Sequence, residues 1–285
     1  MTAPISRAVY KRWLAVTLRN LRGEIKLQEA ADALGCTPGR ISHFERGRNL
    51  PTEADIEKLM RLYGAPERTA ELVNLATQIR EAPPDQDLSR LASTPSGFDT
   101  FLGFEQGARA LTEWATMTVP GLLQTRAYAT AVLGGHQQAL RERELQRRVE
   151  QRMRRQAVLQ RSDDPPTVTG ILDESVLERQ VGGVEVLREQ LAHLVVVSKL
   201  PNVSVRVVPK NRVVLSALHG SFIAMDLGIP GDDGLIYLED RRGGTAIEDP
   251  DAIDDYLEVL DELLAAALDE DESQQLIERT GENLR

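Results

Sequence analysis

The feature that most constrains the fold is a short glycine-containing turn between two brief helical segments near the start of the chain. Residues 26–34 and 38–46 have helical spacing of their apolar side chains, and the turn centred on Gly35 joins them. Gly35 permits the positive φ with which a helix commonly ends. Thr37 is suited to cap the second helix with its hydroxyl, and Pro38 suits the first helical position. The pattern therefore predicts two short helices joined by a tight turn, the second ending at Gly47.

The second of these helices has one apolar and one polar face. Ile41 and Phe44 lie three residues apart and are expected to face inward. The side chains left outside are those of Arg40, Ser42, His43 and Arg46. The first helix is kept slim by Ala30, Ala31 and Ala33. An exposed helix of this size fits the major groove of B-DNA, so sequence-specific DNA binding is the first hypothesis. A purely structural helical hairpin is the alternative, because short amphipathic helices occur in many helical domains.

Three further helices are predicted around this pair. One runs over residues 7–22, and another begins at Thr52 with Asp55 three residues later, which is a capping-box spacing. A last helix follows Pro66 and stops before the two prolines that begin at residue 83. Residues 1–82 are therefore predicted to form a compact five-helix domain.

The residues that follow the turn resemble a known family. The run Ile-Ser-His-Phe-Glu-Arg-Gly-Arg at residues 41–48, followed by Pro51 and then by Leu-Tyr-Gly at residues 62–64, is similar to the XRE family of Cro/repressor-type helix-turn-helix regulators. The resemblance implies that residues 38–46 form the recognition helix. It implies base contacts from Arg40 and His43, and a base or phosphate contact from Ser42.

The same resemblance assigns supporting roles and shows two departures. It implies phosphate contact by the loop at residues 47–49. It also implies a pair between Glu45 and an arginine of the first helix, for which Arg19 is the expected residue. The family usually begins the first helix of the motif with Ser or Thr and then Gln, whereas this chain has Lys26 and Leu27 there and Gln28 one position later. Lys26 is then a cationic substitute for the phosphate-binding glutamine. At His43, where many relatives carry arginine, a base contact would weaken as the imidazole loses its proton. The residues assigned to DNA contact are Lys26, Gln28, Thr37, Pro38, Gly39, Arg40, Ser42, His43, Arg48 and Asn49.

Charge is distributed unevenly along the 285 residues. The whole chain has a formal net charge of −10, but residues 1–82 carry 13 Lys and Arg against 10 Asp and Glu. The remaining 203 residues carry 21 against 34. A basic end can contact phosphate while an acidic remainder is repelled by the duplex. An ordinary acidic protein with a slightly basic end would have the same totals.

The single cysteine and the absence of long apolar runs bear on the compartment. Cys36 has no intrachain partner, and a small buried filler is favoured over a redox switch at that position. No secretory signal pattern is present, and no apolar run approaches the roughly 18 residues of a membrane span. We expect a cytoplasmic protein without membrane contact.

A Pro- and Ser-containing stretch at residues 83–98 is predicted to be a linker to a second domain at residues 99–285. Helices are predicted over Asp99–Thr116, Leu122–Leu133 and Leu140–Arg161. The last of these is rich in arginine but is interleaved with glutamates and has a thin apolar stripe. We favour a solvated connecting or dimer helix there over a second DNA-binding surface.

The hydrophobic period changes after residue 166. Strands are predicted over Thr167–Leu172, Val203–Pro209, Ser221–Leu227 and Leu235–Glu239. Helices are predicted over Asp173–Val181, over Val184–Leu200 and from Asp249 onward, and the acidic run at residues 269–272 is expected to be a solvated junction. The second domain is therefore predicted to be α+β, with a small sheet covered by helices.

Two segments of this domain carry a second resemblance. Val-Pro-Gly-Leu-Leu-Gln-Thr-Arg-Ala-Tyr-Ala at residues 119–129 and Arg-Arg-Gln-Ala-Val-Leu at residues 154–159 resemble the C-terminal domain of actinobacterial XRE regulators of the WhiJ kind. The resemblance implies a regulator whose C-terminal domain binds a small companion protein or senses a ligand. Read without it, residues 120–123 are a turn followed by two core leucines.

Signs of catalysis are weak. His136, His193 and His219 are scattered without metal-ligand spacing, and no glycine-rich phosphate loop or dinucleotide fingerprint is present. The carboxylate pairs at residues 173–174 and 239–240 fall at a helix start and a strand end, where caps and solvated edges are the more frequent explanation. We expect no enzymatic activity, no cofactor and no metal.

These observations favour a homodimeric transcription regulator. One recognition module buries only about 600–1,000 Å² of its surface on DNA, whereas two copies related by a two-fold axis would read an inverted repeat. The expected partners are double-stranded DNA and a second copy of the chain. A small companion protein or an unknown small-molecule effector is a further candidate partner. The alternative is an antitoxin-like interaction module that binds a small companion protein.

Overall fold

The structure is a computed structural model that describes residues 6–82, 98–135, 142–240 and 243–284. The chain divides into two compact units. The first comprises residues 1–85 together with 228–232, and the second comprises residues 86–227 and 233–285. The predicted linker at 83–98 lies almost wholly outside the described residues, so the domain boundaries at 82 and 99 stay predictions.

The first unit is helical throughout its described part. Its helices are α1 (Arg7–Arg22), α2 (Leu27–Leu34), α3 (Pro38–Glu45), α4 (Glu53–Leu62) and α5 (Thr69–Glu81), with a 3-10 turn at Pro66–Arg68. The Ser6 hydroxyl accepts the Val9 N–H at the start of α1, and Thr52 and Asp55 form a reciprocal capping box at the start of α4. The predicted five-helix domain is confirmed.

One apolar core holds these helices together. Its largest members are Leu14, Leu18, Ile41, Phe44, Ile56, Leu59, Met60, Leu72, Leu75 and Ile79. Ala30 and Ala31 are fully buried where α2 meets this core, whereas Ala33, expected at the same crossing, is exposed. Cys36, predicted to be a small buried filler, packs against this core but is only half-buried.

Within the described residues, the second unit is built on a mixed six-stranded sheet. Its strands are β1 (Ala110–Ala115), β2 (Thr167–Asp173), β3 (Val203–Val208), β4 (Phe222–Asp226), β5 (Leu235–Asp240) and β6 (Gly243–Ile247). Their order is β3-β2-β1-β4-β5-β6, with β1, β2 and β3 parallel and the remaining pairs antiparallel. The helices are α6 (Phe98–Gly107), α7 (Arg126–Gly134), α8 (Glu142–Arg155), α9 (Val184–Val197), α10 (Pro250–Ala266) and α11 (Glu270–Asn283).

Both faces of the sheet are covered. On one face Trp114, Ile171 and Phe222 pack against Leu260 and Leu263 of α10. On the other face a Cβ at Gly170 would lie 3.0 Å from Leu123 Cδ1, so the glycine lets a 3-10 turn at Gly121–Leu123 approach the sheet. The predicted α+β arrangement, a sheet covered by helices, is confirmed. No helix in the described ranges is long and apolar enough to cross a membrane.

Several element boundaries in this unit correct the predictions. The helix expected over 99–116 ends at Gly107, and β1 follows as a central strand because Trp114 pairs with Ile171 on β2 and Phe222 on β4. The exposed edge strand β6 was missed. The helix expected over 173–181 is only a 3-10 turn at Glu174–Leu177.

Two charged regions, one acidic and one rich in arginine, also differ from the predictions. The run at 269–272 is not a junction but starts α11, with Asp269 and Glu272 forming a capping box. The arginine-rich helix is not solvated along its length, because Arg155 is buried and binds Glu105 through hydrogen bonds of 2.7 and 2.6 Å. The start of that predicted helix, at residue 140, lies outside the described residues.

Candidate nucleic-acid interface

The turn between α2 and α3 has the geometry that its sequence predicts. Gly35 has a φ of 64°, and the next backbone N–H, that of Cys36, donates to the Ala31 carbonyl at 3.0 Å. Thr37 occupies the cap position with an extended backbone, and Pro38 begins α3. The expected capping bond is absent, since within the described residues the Thr37 hydroxyl accepts no N–H of the first turn. Backbone conformation, rather than a side-chain cap, therefore starts α3.

A nearly buried ion pair sets the position of the C-terminal end of α3. Glu45 accepts hydrogen bonds from Arg22 Nε at 2.6 Å and from Nη2 at 3.1 Å, and the two side chains are 8% and 18% exposed. Arg22 also donates to the Ile25 carbonyl at 2.7 Å. The hydrogen bond with Glu45 is the main reason that the pKa of Arg22 is raised.

The prediction that Glu45 pairs with Arg19 is wrong, because its partner is Arg22. Arg19 and Arg22 lie three residues apart and so share one face of α1. Their spacing in the sequence therefore could not show which of the two pairs with Glu45. Arg22 is the last residue of α1, at the point where the chain turns into α2 and passes the end of α3. The pair thus fastens α3 to α1 while Ile41 and Phe44 enter the core.

The residues assigned to DNA contact lie at the start of α2, at the start and outer face of α3, and in the loop after it. Seven are exposed, namely Lys26, Gln28, Thr37, Gly39, Arg40, Arg48 and Asn49, and three are half-buried, namely Pro38, Ser42 and His43. Gln28 donates to Asp32 Oδ1 at 2.8 Å on its own helix. In the described part of the chain no hydrogen bond or ion pair joins Lys26 or Gln28 to α3, so their link to it is the packing of α2 on α3.

The loop after α3 is anchored on His43. Its carbonyl accepts the backbone N–H groups of Arg48 at 2.9 Å and of Asn49 at 3.2 Å. The Asn49 side-chain amide lies 3.5 Å from His43 Nδ1. Gly47 permits this return of the chain with a φ of 63°. His43, Arg48 and Asn49 are therefore brought together.

Arg40 forms an ion pair with Asp55, a residue that the sequence predicts only as part of a helix cap. Its Nη2 lies 2.8 Å from Asp55 Oδ2, and its guanidinium carbon lies 5.2 Å from the centre of the Phe44 ring. The same Asp55 oxygen accepts the Thr52 N–H at 3.0 Å. The Arg40 side chain is still 42% exposed. A nucleic acid would have to compete with Asp55 for one edge of this guanidinium.

Gly39 is not required by the fold around it. A Cβ at this position would have only Thr37 Oγ1 within 4 Å, at an ordinary contact distance of 3.9 Å. Its exposed position in the first turn of α3 leaves the backbone of that turn accessible to a ligand. Within the described residues, no group of three or more His, Cys, Asp or Glu side chains is placed to hold a metal ion.

Comparison with known families gives two matches. Residues 13–72 match a helix-turn-helix domain, a span that contains α2, the turn and α3. Residues 98–279, more than half of the chain, match a family described as Domain of unknown function (DUF5753). The chain belongs to the DUF5753 family. In this DUF5753 protein the family region holds the six-stranded sheet, and the helix-turn-helix match precedes it. No curated protein and no solved structure matches the chain. The helix-turn-helix domain indicates a DNA-binding regulator.

Proposed function

We propose that this DUF5753 protein is a sequence-specific transcription regulator of the XRE type whose α3 reads the major groove. The observation that carries the proposal is the construction of α3. Its inner face enters the core through Ile41 and Phe44, its end is held by the Arg22–Glu45 pair, and its polar face carries Arg40 and His43. A rigid helix with a polar outer face is what direct readout requires.

Each group in the interface has a chemistry that suits one part of DNA. A guanidinium such as that of Arg40 can donate two hydrogen bonds to guanine O6 and N7. Arg48, Asn49 and the start of α2, with Lys26 and Gln28, supply donors and positive charge for phosphates. When DNA binds, a nucleic-acid acceptor would replace the Asp55 carboxylate as the hydrogen-bond partner of Arg40. Asp55 thus orients Arg40 in the free protein and competes with DNA.

The regulator is proposed to act as a homodimer on an inverted repeat. One recognition module buries too little surface, about 600–1,000 Å², for tight specific binding. Two copies would read half-sites about one helical turn apart. The DUF5753 region, which we take to be of the WhiJ kind, would provide dimerisation and either sensing or partner binding. We assign no enzymatic role and place the protein in the cytoplasm, where its DNA would be.

The test is selection of DNA sequences from a random duplex library by the full chain, followed by anisotropy titrations of the enriched sequence. Arg40→Ala is expected to weaken binding by about 1–3 kcal/mol and to relax the preference at one base pair. Arg61→Ala is the matched control, because Arg61 is also exposed and paired, with Glu57 at 3.7 Å, but lies on α4 away from the predicted contacts. Failure to enrich any sequence would contradict the proposal. An equal loss on all sequences would make Arg40 a phosphate contact.

The second candidate is an antitoxin-like interaction module that binds a small companion protein. Large apolar side chains exposed on the second unit favour it, among them Met117 at 57% and Val196 at 63%. Affinity capture of the chain from its native host separates the two. A stoichiometric protein partner without enrichment of DNA would support the interaction module.

A further inference from the structure

We propose that the DUF5753 region contains a binding site for a small amphipathic organic anion, with an apolar body and one carboxylate or similar group. The site is a cavity of about 330 Å³ in the second unit. This volume falls in the range of small-molecule sites. The proposal does not depend on DNA binding, because every residue that carries it lies in the second unit.

The position of the cavity follows from the sheet. Its lining includes Thr116, Asp173 and Val208, which stand at or just after the carboxyl ends of β1, β2 and β3. These three strands are parallel, so their carboxyl ends meet at one edge. The chain first adds β2 and β3 on one side of β1 and then β4, β5 and β6 on the other. The cavity lies at the carboxyl edge of these parallel strands, which is the edge where open α/β sheets bind ligands.

The inner wall of the cavity is apolar and held in place. Trp114 is buried, and its Nε1 donates to the Ala217 carbonyl at 3.2 Å. Val208 and Leu263 are buried in the same core and also line the cavity. Because the indole is fixed by a hydrogen bond and by its burial in the core, this wall is preformed rather than dependent on a ligand.

The rim of the cavity exposes large apolar side chains. Val213 and Leu218 both line it and are 65% and 70% exposed. Isolated exposed apolar residues are common, but two that border one apolar cavity form a continuous surface with its wall. A ligand with an apolar body would cover both the wall and the rim.

Charge at the rim favours an anion. Arg212 is exposed, lines the cavity and donates from Nη1 to the Ala266 carbonyl at 3.0 Å. Among the described residues no carboxylate lies within ion-pair distance of it, and a guanidinium has further donors for a bidentate partner. Lys210 also lines the cavity and is paired with Glu178. The lining carboxylate, that of Asp173, already accepts the Ser175 N–H at 2.9 Å. Arg212 is therefore the anchor for the anionic group.

The probes are 4-phenylbutyrate, indole-3-acetate and octanoate, each compared with its primary amide. Binding to the full chain is measured by titration calorimetry for all three probes. For 4-phenylbutyrate and octanoate, which lack an indole ring, it is also measured by the emission of Trp114 in a Trp13→Phe background, since these are the two tryptophans of the chain. At least one carboxylate is expected to bind and change Trp114 emission, with its amide about tenfold weaker because it lacks the charge.

Two variant pairs locate the site. Arg212→Gln is expected to lower carboxylate affinity about tenfold and leave the amide unchanged, whereas Arg279→Gln, an exposed arginine that also donates to a backbone carbonyl, changes neither. Leu218→Glu is expected to weaken carboxylate binding, while Val196→Glu, at a similarly exposed position, is not. Both positions are on the surface, so thermal unfolding is expected to stay the same. No millimolar binding by any of the three carboxylates, or binding indifferent to both Arg212→Gln and Leu218→Glu, overturns the proposal.

Discussion

The ion pair between Arg22 and Glu45 allows a quantitative test of how the recognition helix is held. Glu45→Ala would leave the Arg22 guanidinium without its carboxylate where both side chains are largely removed from water. Removing one partner of a buried pair costs about 3–5 kcal/mol. Since Arg22 is 18% exposed, and water can partly replace the lost partner, we expect about 3 kcal/mol, the lower end of that range.

The first unit contains its own control. Arg68 and Glu71 form an equally bidentate pair, with hydrogen bonds of 3.0 and 2.7 Å, but their side chains are 35% and 48% exposed. The hydrogen bond from Arg68 lowers the pKa of Glu71, and water screens the attraction. Exposed pairs contribute about 0.2–1 kcal/mol, so Glu71→Ala is expected to cost less than about 1 kcal/mol.

The assay is urea and thermal unfolding of the full chain, with hydrogen exchange measured on peptides from residues 7–81. For a unit of this size a loss of about 3 kcal/mol corresponds to a melting temperature lower by roughly 12–24 °C. The double variant Arg22→Met/Glu45→Leu is expected to recover most of that loss, because it leaves no unpaired charge. A cost for Glu45→Ala no larger than that for Glu71→Ala would refute the reasoning.

Three further predictions concern single positions. Gly39→Ala is expected to leave the melting temperature unchanged or slightly higher, because the protein leaves room for a Cβ there. It is expected to weaken DNA binding in anisotropy titrations if DNA contacts that backbone as proposed; an unchanged affinity would place the DNA elsewhere. Asp55→Asn keeps a capping side chain but removes the ion pair with Arg40, so DNA affinity is expected to rise a few-fold. A loss of affinity like that of Arg40→Ala would instead mean that Asp55 positions Arg40 for binding. Burial raises the pKa of Glu113 to about 8, so the folded state favours the protonated carboxyl and its stability falls as pH rises from about 4.5 to 8. Glu113→Gln is expected to stabilise the second unit at pH 9 by an amount on the order of a few kcal/mol, and hardly at pH 5. Equal effects of the substitution at the two pH values in chemical unfolding would contradict this.

Local sequence was enough to predict the interface segment. The glycine turn, Pro38 at the start of α3, and the spacing of Ile41 and Phe44 are all local features, and they placed the polar face of α3 outward. The five helices of the first unit followed from the same kind of signal, because each has its own cap or stop and a periodic apolar stripe. The proposed DNA contacts of that face stay predictions.

Contacts between distant residues decided the rest. Helical and strand periodicities are ambiguous in the short stretch around Trp114, and only pairing with β2 and β4 made it the central strand β1. Likewise, Arg19 and Arg22 share a helix face, and the path of the chain past the end of α3 selected Arg22 as the partner of Glu45. Asp55 reaches Arg40, and Arg212 reaches the cavity rim, only after folding brings together segments that no local spacing relates. Sequence by itself determined which faces are apolar, because that depends on nearest neighbours along one helix or strand. Tertiary structure alone decided which charged groups on different elements meet, because that depends on where those elements cross.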